Sequence, residues 1–429
     1  MENKHLSLDT LAVHAGYTPE GTEHATVPPI YQTNAYSFES VEYAKNLFNL
    51  SQPGNIYTRL NNPTVAVLED KLAAMDGGAA AVAMASGHAV IFNTILNLAN
   101  AGDEIVSSLC IYGGAINLLG VTLKNIGIKT TFVDPDDFEG WERAITPKTK
   151  ALFVEIVGNP NANVADLERL AQLAHSHGIP LIADSTFTTP CLCKPLDFGA
   201  DLVIHSATKF LGGHGNSMAG VVVDSGRFPF LDNPKFPQYN TPDQSYHGLV
   251  FAKDAAAAPF AIRMRTLLLR DIGACLSPFN AFLIQQGMET LHLRMRRHCD
   301  NAQAIAEFLH GNPNVEFVHY PGLPDNRYHA LAQKYLPKGC GSVFTFGLRG
   351  GREAGEAFIN SCGLFGHVAN VGDTRSLVIH PATTTHSQLS DRQLVDAGIT
   401  AGTVRLSAGI EDAADLIADL EQAIAKAVR

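Results

Sequence analysis

Seven short apolar runs between residues 80 and 223 alternate with segments of helix length, and that alternation leaves the chain few folds to choose from. The runs are AAVAM at 80–84, EIVSS at 104–108, KTTFV at 129–133, ALFVEI at 151–156, PLIAD at 180–184, DLVIH at 201–205 and AGVVV at 219–223. Amphipathic segments stand between most of them, for example 90–99 after the first run and 166–175 before the fifth. Buried strands alternating with helices predict an α/β fold, a mostly parallel seven-stranded sheet covered on both faces.

That unit does not use up the chain, because 429 residues exceed what one hydrophobic core usually serves. Residues 1–60, rich in Pro, Gly and polar side chains without a sustained period, read as an arm pinned to a neighbouring subunit. Residues 61–276 form the large domain, opening with a helix over 65–75 capped near Asn62 or Thr64. Its stretch 225–275 is proline- and aromatic-rich and reads as an insertion. Ser277-Pro278 supplies an N-cap and first-turn proline for one long helix to residue 309. Strands at 315–319, 342–346, 376–379 and 403–407 and a helix from 413 make 277–429 a smaller C-terminal α/β domain.

A formal charge of −11 argues against non-specific binding of nucleic acid or an anionic membrane. The polar start Met1–His5 has no apolar core behind it, and no run of eighteen apolar residues exists, so a cytoplasmic protein is expected. Seven cysteines without paired CxxC spacing suggest neither a disulfide framework nor a metal site; Cys191-x-Cys193 is a metal candidate set against ordinary packing.

Chemistry concentrates at the strand ends. The run at 201–205 leads into Ser206, Thr208 and Lys209 and then Gly212, Gly213 and Gly215, where backbone can approach a ligand closely. Lys209 there is either a solvated surface charge or the covalent anchor of an aldehyde cofactor. The first run ends in Ala85-Ser86-Gly87-His88 and enters a helix, whose N-terminal N–H groups bind phosphate or are simply capped by serine. Neither GxGxxG nor the P-loop pattern appears, which disfavours nucleotide chemistry. Asp184 closes LIAD, where a carboxylate needs a cation such as a protonated pyridine nitrogen, or else serves as a cap.

Together these residues resemble the pyridoxal-phosphate enzymes of cysteine and methionine metabolism. The resemblance runs through nearly the whole chain: YTRLNNPT at 57–64, ASGHA at 85–89, YGG at 112–114, GNPN at 158–161, ADST at 183–186, HSATKFLGGHG at 205–215, LVIHPATTTH at 377–386 and VRLSAGIED at 404–412. It implies a fold-type I transferase in which Lys209 binds pyridoxal 5'-phosphate and then moves protons. The phosphate would be seated on the backbone at Ser86, Gly87 and His88, on the hydroxyls of Ser206 and Thr208, and on Tyr57 and Arg59 of a neighbouring subunit. By themselves, Tyr57-x-Arg59 read as an exposed turn and Arg405 as a strand arginine in a surface ion pair. The resemblance makes Arg405 the receiver of the substrate carboxylate, lays Tyr112 over the ring as a proton shuttle, sets Asn159 at the ring hydroxyl and leaves Asp184 to keep the ring protonated.

Within that family the chain is similar to the sulfhydrylase branch, which implies γ-replacement: O-acetyl-L-homoserine with sulfide or methanethiol gives L-homocysteine or L-methionine and acetate. Gly114 stands where methionine γ-lyases carry cysteine, and the extended stretch 225–275 separates the chain from the shorter cystathionine γ-synthases. His88 stands where many relatives have methionine. Both related activities remain as alternatives, as does a binding protein that has lost catalysis. A homo-oligomer is implied, a tetramer by family expectation.

Overall fold

A computed structural model of the chain describes residues 6–384 and 400–428. Met1–His5 and the last two residues of the 377–386 motif lie outside them. Among the described residues twelve strands are assigned: β1 Ala80–Met84, β2 Glu104–Ser108, β3 Lys129–Val133, β4 Thr149–Glu155, β5 Leu181–Asp184, β6 Leu202–His205, β7 Gly220–Asp224, β8 Val315–His319, β9 Val343–Leu348, β10 Gly366–His367, β11 Leu377–Ile379 and β12 Thr403–Ser407. The first seven form one sheet in the order β1-β7-β6-β5-β4-β2-β3, and the other five a second sheet in the order β10-β11-β12-β9-β8.

In the large sheet β3, β2, β4, β5 and β6 are mutually parallel, while β7 is antiparallel to both β6 and β1. Because β1 and β6 both oppose β7, they point the same way. The C-terminal ends of β1, β2, β4, β5 and β6 therefore share one edge, where a doubly wound sheet holds its ligand. β4, β6 and β7 are buried at every position, as strands covered on both faces must be.

The helix after the arm is Pro63–Asp76, with Asn62 as its cap: Asn62 Oδ1 accepts the N–H of Thr64 at 2.9 Å. Such a cap contributes about 1 kcal/mol. The single helix expected over 277–309 is in fact two, Pro278–Glu289 and Leu291–His310, parted at Thr290 (φ −105°, ψ 10°). The arm is not structureless either. It carries the helices Leu8–His14 and Val41–Phe48, and Ala35 bridges to Tyr57. The stretch 225–275 contains short helices at Pro237–Asn240, Phe251–Asp254 and Pro259–Arg263, then a π-helical turn at Met264–Leu269. No helix among the described residues is long and apolar enough to cross a membrane.

Candidate active site

β1 delivers Ser86 to the start of the helix Gly87–Leu98, and the serine Oγ accepts the N–H of Ala89 at 3.1 Å. The N–H groups of the first turn point to the sheet edge with the positive end of the helix dipole behind them. An added Cβ at Gly87 would lie 2.8 Å from the Cβ of Ser206, so this helix start and the Ser206 hydroxyl form one wall. Thr208 stands beside it with its hydroxyl exchanging hydrogen bonds with Ala219, accepting from the N–H at 3.1 Å and donating to the carbonyl at 3.2 Å.

Two carboxyls meet at the next strand ends, because the parallel register sets Glu155 directly beside Asp184. Burial pushes Glu155 well above the usual carboxylate range, and the charge of Asp184 adds to the effect. Asp184 is also raised by burial, opposed by its hydrogen bonds from Thr186 and by His205 and His88 nearby. Among the described residues Asp184 forms no ion pair, so the site carries an acidic group whose ionisation a bound cation would favour.

Lys209 follows β6 and is succeeded in the chain by the fully buried Phe210. Its ammonium donates to Asn370 Oδ1 at 2.5 Å. Burial first, and then the positive charge of Arg405, lowers the affinity of this amine for its proton. Asn370 comes from the segment between β10 and β11, brought close by Gly372. A Cβ at Gly372 would lie 2.8 Å from the Phe210 nitrogen and 3.1 Å from Lys209 Cβ, and its φ of +74° favours glycine as well. Arg405, on β12, is buried with its guanidinium pushed down to about 10 by that burial. It donates to Asn159 Oδ1 at 3.2 Å and to the Asn370 carbonyl at 3.4 Å.

Every residue to which the resemblance gave a role lines one cavity of about 420 Å³, except Tyr57 and Arg59. Gly212, Gly213 and Gly215 do not line it: a Cβ at Gly213 would meet the Arg294 guanidinium instead of a ligand. Tyr57 and Arg59 sit outside it. Tyr57 is 39% exposed, the Arg59 guanidinium lies 5.5 Å from its ring, and Arg59 donates to the carbonyl of Arg270. The cavity also holds Glu155, Asn370 and Met218, which the sequence reading passed over. Glu155 was detectable by the rule that found Asp184, a carboxylate closing a buried strand. Nothing local marks Asn370.

Residues 9–425 match the model of the family described as Cys/Met metabolism PLP-dependent enzyme. The chain belongs to that family. Its relatives include the homocysteine synthase of Schizosaccharomyces pombe, 46% identical over 99% of both chains. The O-acetyl-L-homoserine sulfhydrylase of Corynebacterium glutamicum is 47% identical over 96% of this chain and 95% of its own. The O-acetyl-L-homoserine sulfhydrylase 1 of Thermus thermophilus is 48% identical over 98% of this chain and 100% of its own. A 2.35 Å crystal structure from Campylobacter jejuni, provisionally identified as an O-acetylhomoserine (thiol)-lyase, superposes with a TM-score of 0.95 at 42% identity, covering 98% of this chain and 100% of that one. That protein carries N'-pyridoxyl-lysine-5'-monophosphate.

The fold is that of a fold-type I PLP enzyme, and its cavity suits pyridoxal phosphate. The cavity is lined by a helix N-terminus and hydroxyls for a phosphate, by a strand-end carboxylate without a cation among the described residues, and by the half-buried amine of Lys209. An anion cradle, a cation-seeking carboxylate and a nucleophilic amine are the three groups a phosphorylated pyridine aldehyde requires.

Proposed function

We propose that this protein is a PLP-dependent γ-replacement enzyme, converting O-acetyl-L-homoserine and sulfide, or methanethiol, to L-homocysteine, or L-methionine, and acetate. The observation that carries the reading is the convergence of Lys209, Asp184, Tyr112 and Arg405 on a single cavity. The names of the relatives, homocysteine synthase and O-acetyl-L-homoserine sulfhydrylase, support the substrate choice.

Bound there, pyridoxal phosphate supplies the electron sink that lets an amino acid lose its α proton and then a γ substituent. The residues divide the remaining work. Lys209 Nζ, its proton affinity lowered by burial, anchors the cofactor covalently and afterwards moves protons at the substrate α and β carbons. Asp184 would hold the ring nitrogen through its carboxylate, and Asn159 the ring hydroxyl through its amide. Ser86, Gly87, His88, Ser206 and Thr208 hold the phosphate through main-chain N–H groups and hydroxyls. The Tyr112 ring would pack on the cofactor, with its phenol serving the leaving acetate. Arg405 grips the substrate carboxylate with its planar fork.

Tyr57 and Arg59 complete the phosphate site of a neighbouring subunit in this reading, so the enzyme is an obligate homo-oligomer, a tetramer built from dimers. The reading also divides the chain into an arm over 1–60, a cofactor-binding domain over 61–276 and a small domain over 277–429, and places the protein in the cytoplasm. Product analysis tests the chemistry. The purified enzyme should be yellow and should form homocysteine and acetate in equal amounts from O-acetylhomoserine and sulfide. Ammonia and 2-oxobutanoate as main products with thiol present would sink the proposal, as would a Lys209→Ala variant that kept both turnover and the visible absorbance.

A further inference from the structure

We infer that His88 is the residue that receives the incoming thiol, its imidazole taking the S–H proton as the carbon–sulfur bond forms. The inference rests on the γ-replacement reading and assigns a residue to its second half. In that half the thiol sulfur bonds to the substrate γ carbon, and its proton has to leave.

The first observation is steric. The His88 and Tyr112 rings meet edge to face, 5.5 Å between centroids at 85°. Both rings stand over Gly114. A Cβ built there would lie 2.5 Å from Tyr112 Cε1, 2.9 Å from His88 Nε2 and 3.0 Å from His88 Cε1. A side chain at 114 would therefore push the pair apart, and glycine gives the imidazole its place against the tyrosine that the reading sets beside the leaving group.

The second observation is what the other groups of the cavity are doing. Lys209 donates to Asn370. Asp184 accepts the N–H of Thr186 at 2.9 Å, and Glu155 accepts those of Tyr112 and Asn159. Arg405, from β12, is a permanent cation and has no lone pair to offer. Among the described residues, neither ring nitrogen of His88 has a hydrogen-bond partner within the chain, although the side chain lines the cavity. The Tyr112 phenol and the Ser206 hydroxyl are likewise without a side-chain hydrogen-bond partner among the described residues, but a neutral hydroxyl is a weaker base than a neutral imidazole. Imidazole is the side chain best suited to accept a proton near neutral pH.

The balance of the step is simple. The C–S bond forms at the γ carbon as the π bond between the β and γ carbons, left by the loss of acetate, opens. The S–H proton passes to His88, whose imidazolium returns it to solvent, while Lys209 gives the β carbon back the proton it took. No oxidant or other co-reactant enters.

Methanethiol is the probe, because it stays protonated through the neutral range and needs a base. His88→Gln should lower kcat/KM for methanethiol by roughly 10²-fold, with the KM for O-acetylhomoserine changed by about twofold or less. The resting visible band should persist, since the phosphate is held by the backbone at this position. In His88→Ala, free imidazole should restore turnover in proportion to its concentration, which a merely structural role would not allow. A His88→Gln enzyme with the wild-type methanethiol rate, or a His88→Ala enzyme deaf to imidazole, overturns the inference alone. A wild-type enzyme that makes no methionine from these substrates overturns it together with the γ-replacement reading.

Discussion

Glu155 Oε1 accepts the main-chain N–H of Tyr112 at 2.7 Å, so a strand-end carboxyl of β4 fixes the loop that carries the cavity's aromatic ring. Its other oxygen accepts the N–H of Asn159 at 3.2 Å. One side chain thus ties together two loops that line the cavity. Glu155→Ala leaves both N–H groups without their acceptor, a loss of about 1–3 kcal/mol in positioning. The expected result is a fall in kcat/KM of roughly 10- to 100-fold, measured with O-acetylhomoserine varied. Glu155→Gln keeps one acceptor oxygen and should fall in between. A Glu155→Ala enzyme with wild-type kinetics would show that the two loops hold themselves.

Arg294, on the helix Leu291–His310, does comparable work on the lysine side. It is buried, and donates to the carbonyls of Phe210 at 2.8 Å, Leu211 at 3.2 Å and Gly287 at 2.7 Å. The chain just beyond Lys209 is therefore fastened by two carbonyl contacts to one guanidinium, whose third contact ties it to the helix Pro278–Glu289. Arg294→Met removes all three and should cost about 3 kcal/mol or more, because buried carbonyls are left unpaired. Thermal unfolding would report the loss. The visible absorbance per protomer should drop as Lys209 becomes less well placed, and Arg294→Lys should recover part of both.

His298 makes acid pH a threat to the same region. Its Nδ1 bonds the Ala408 carbonyl at 2.7 Å, its ring stands 5.2 Å from that of Phe210, and Nε2 is buried without a partner among the described residues. Burial pushes the imidazole from the usual 6.5 down to about 4. The native state therefore binds fewer protons here than the unfolded chain between those values. The stability from neutral His298 is complete above pH 6.5 and is lost as pH falls towards 4, to a total of roughly 3 kcal/mol. His298→Gln keeps a donor for Ala408 and cannot titrate. Its Tm should decline less than that of wild type between pH 6.5 and 4.5, and parallel curves would refute the assignment.

The local sequence exposed the large sheet because its strands are apolar runs closed by Gly or polar residues. Ala80–Met84, Glu104–Ser108 and Lys129–Val133 stand where the pattern put them. Asp184 and Lys209 were legible for the same reason, as charges at the ends of buried strands. The antiparallel sense of β7 was not written in its own residues, since GVVVD has no direction; pairing geometry supplies that. The break at Thr290 was hidden because apolar positions continue on both sides of it, in Met288 and Leu291. Asn370 reaches Lys209 across 161 positions of chain, and such a contact leaves no periodic trace. Only the meeting of the second sheet with the first creates it.

Tyr57 and Arg59 give the last prediction, since they stand outside the cavity formed by their own chain. If each phosphate site is completed by the neighbouring subunit, Arg59→Ala and Lys209→Ala fall in the same site when paired in one dimer. One site of such a dimer carries both lesions and the other carries neither. Random exchange between two inactive parents makes half of the dimers mixed, so about a quarter of wild-type activity should return. The measurement is turnover after co-refolding equal amounts of the two variants, compared with each variant refolded alone. Recovery near a quarter requires that Arg59 act in its neighbour's site. If the mixture stays at the sum of its parents, Arg59 serves its own chain, and the arm over 1–60 has no share in a partner's chemistry.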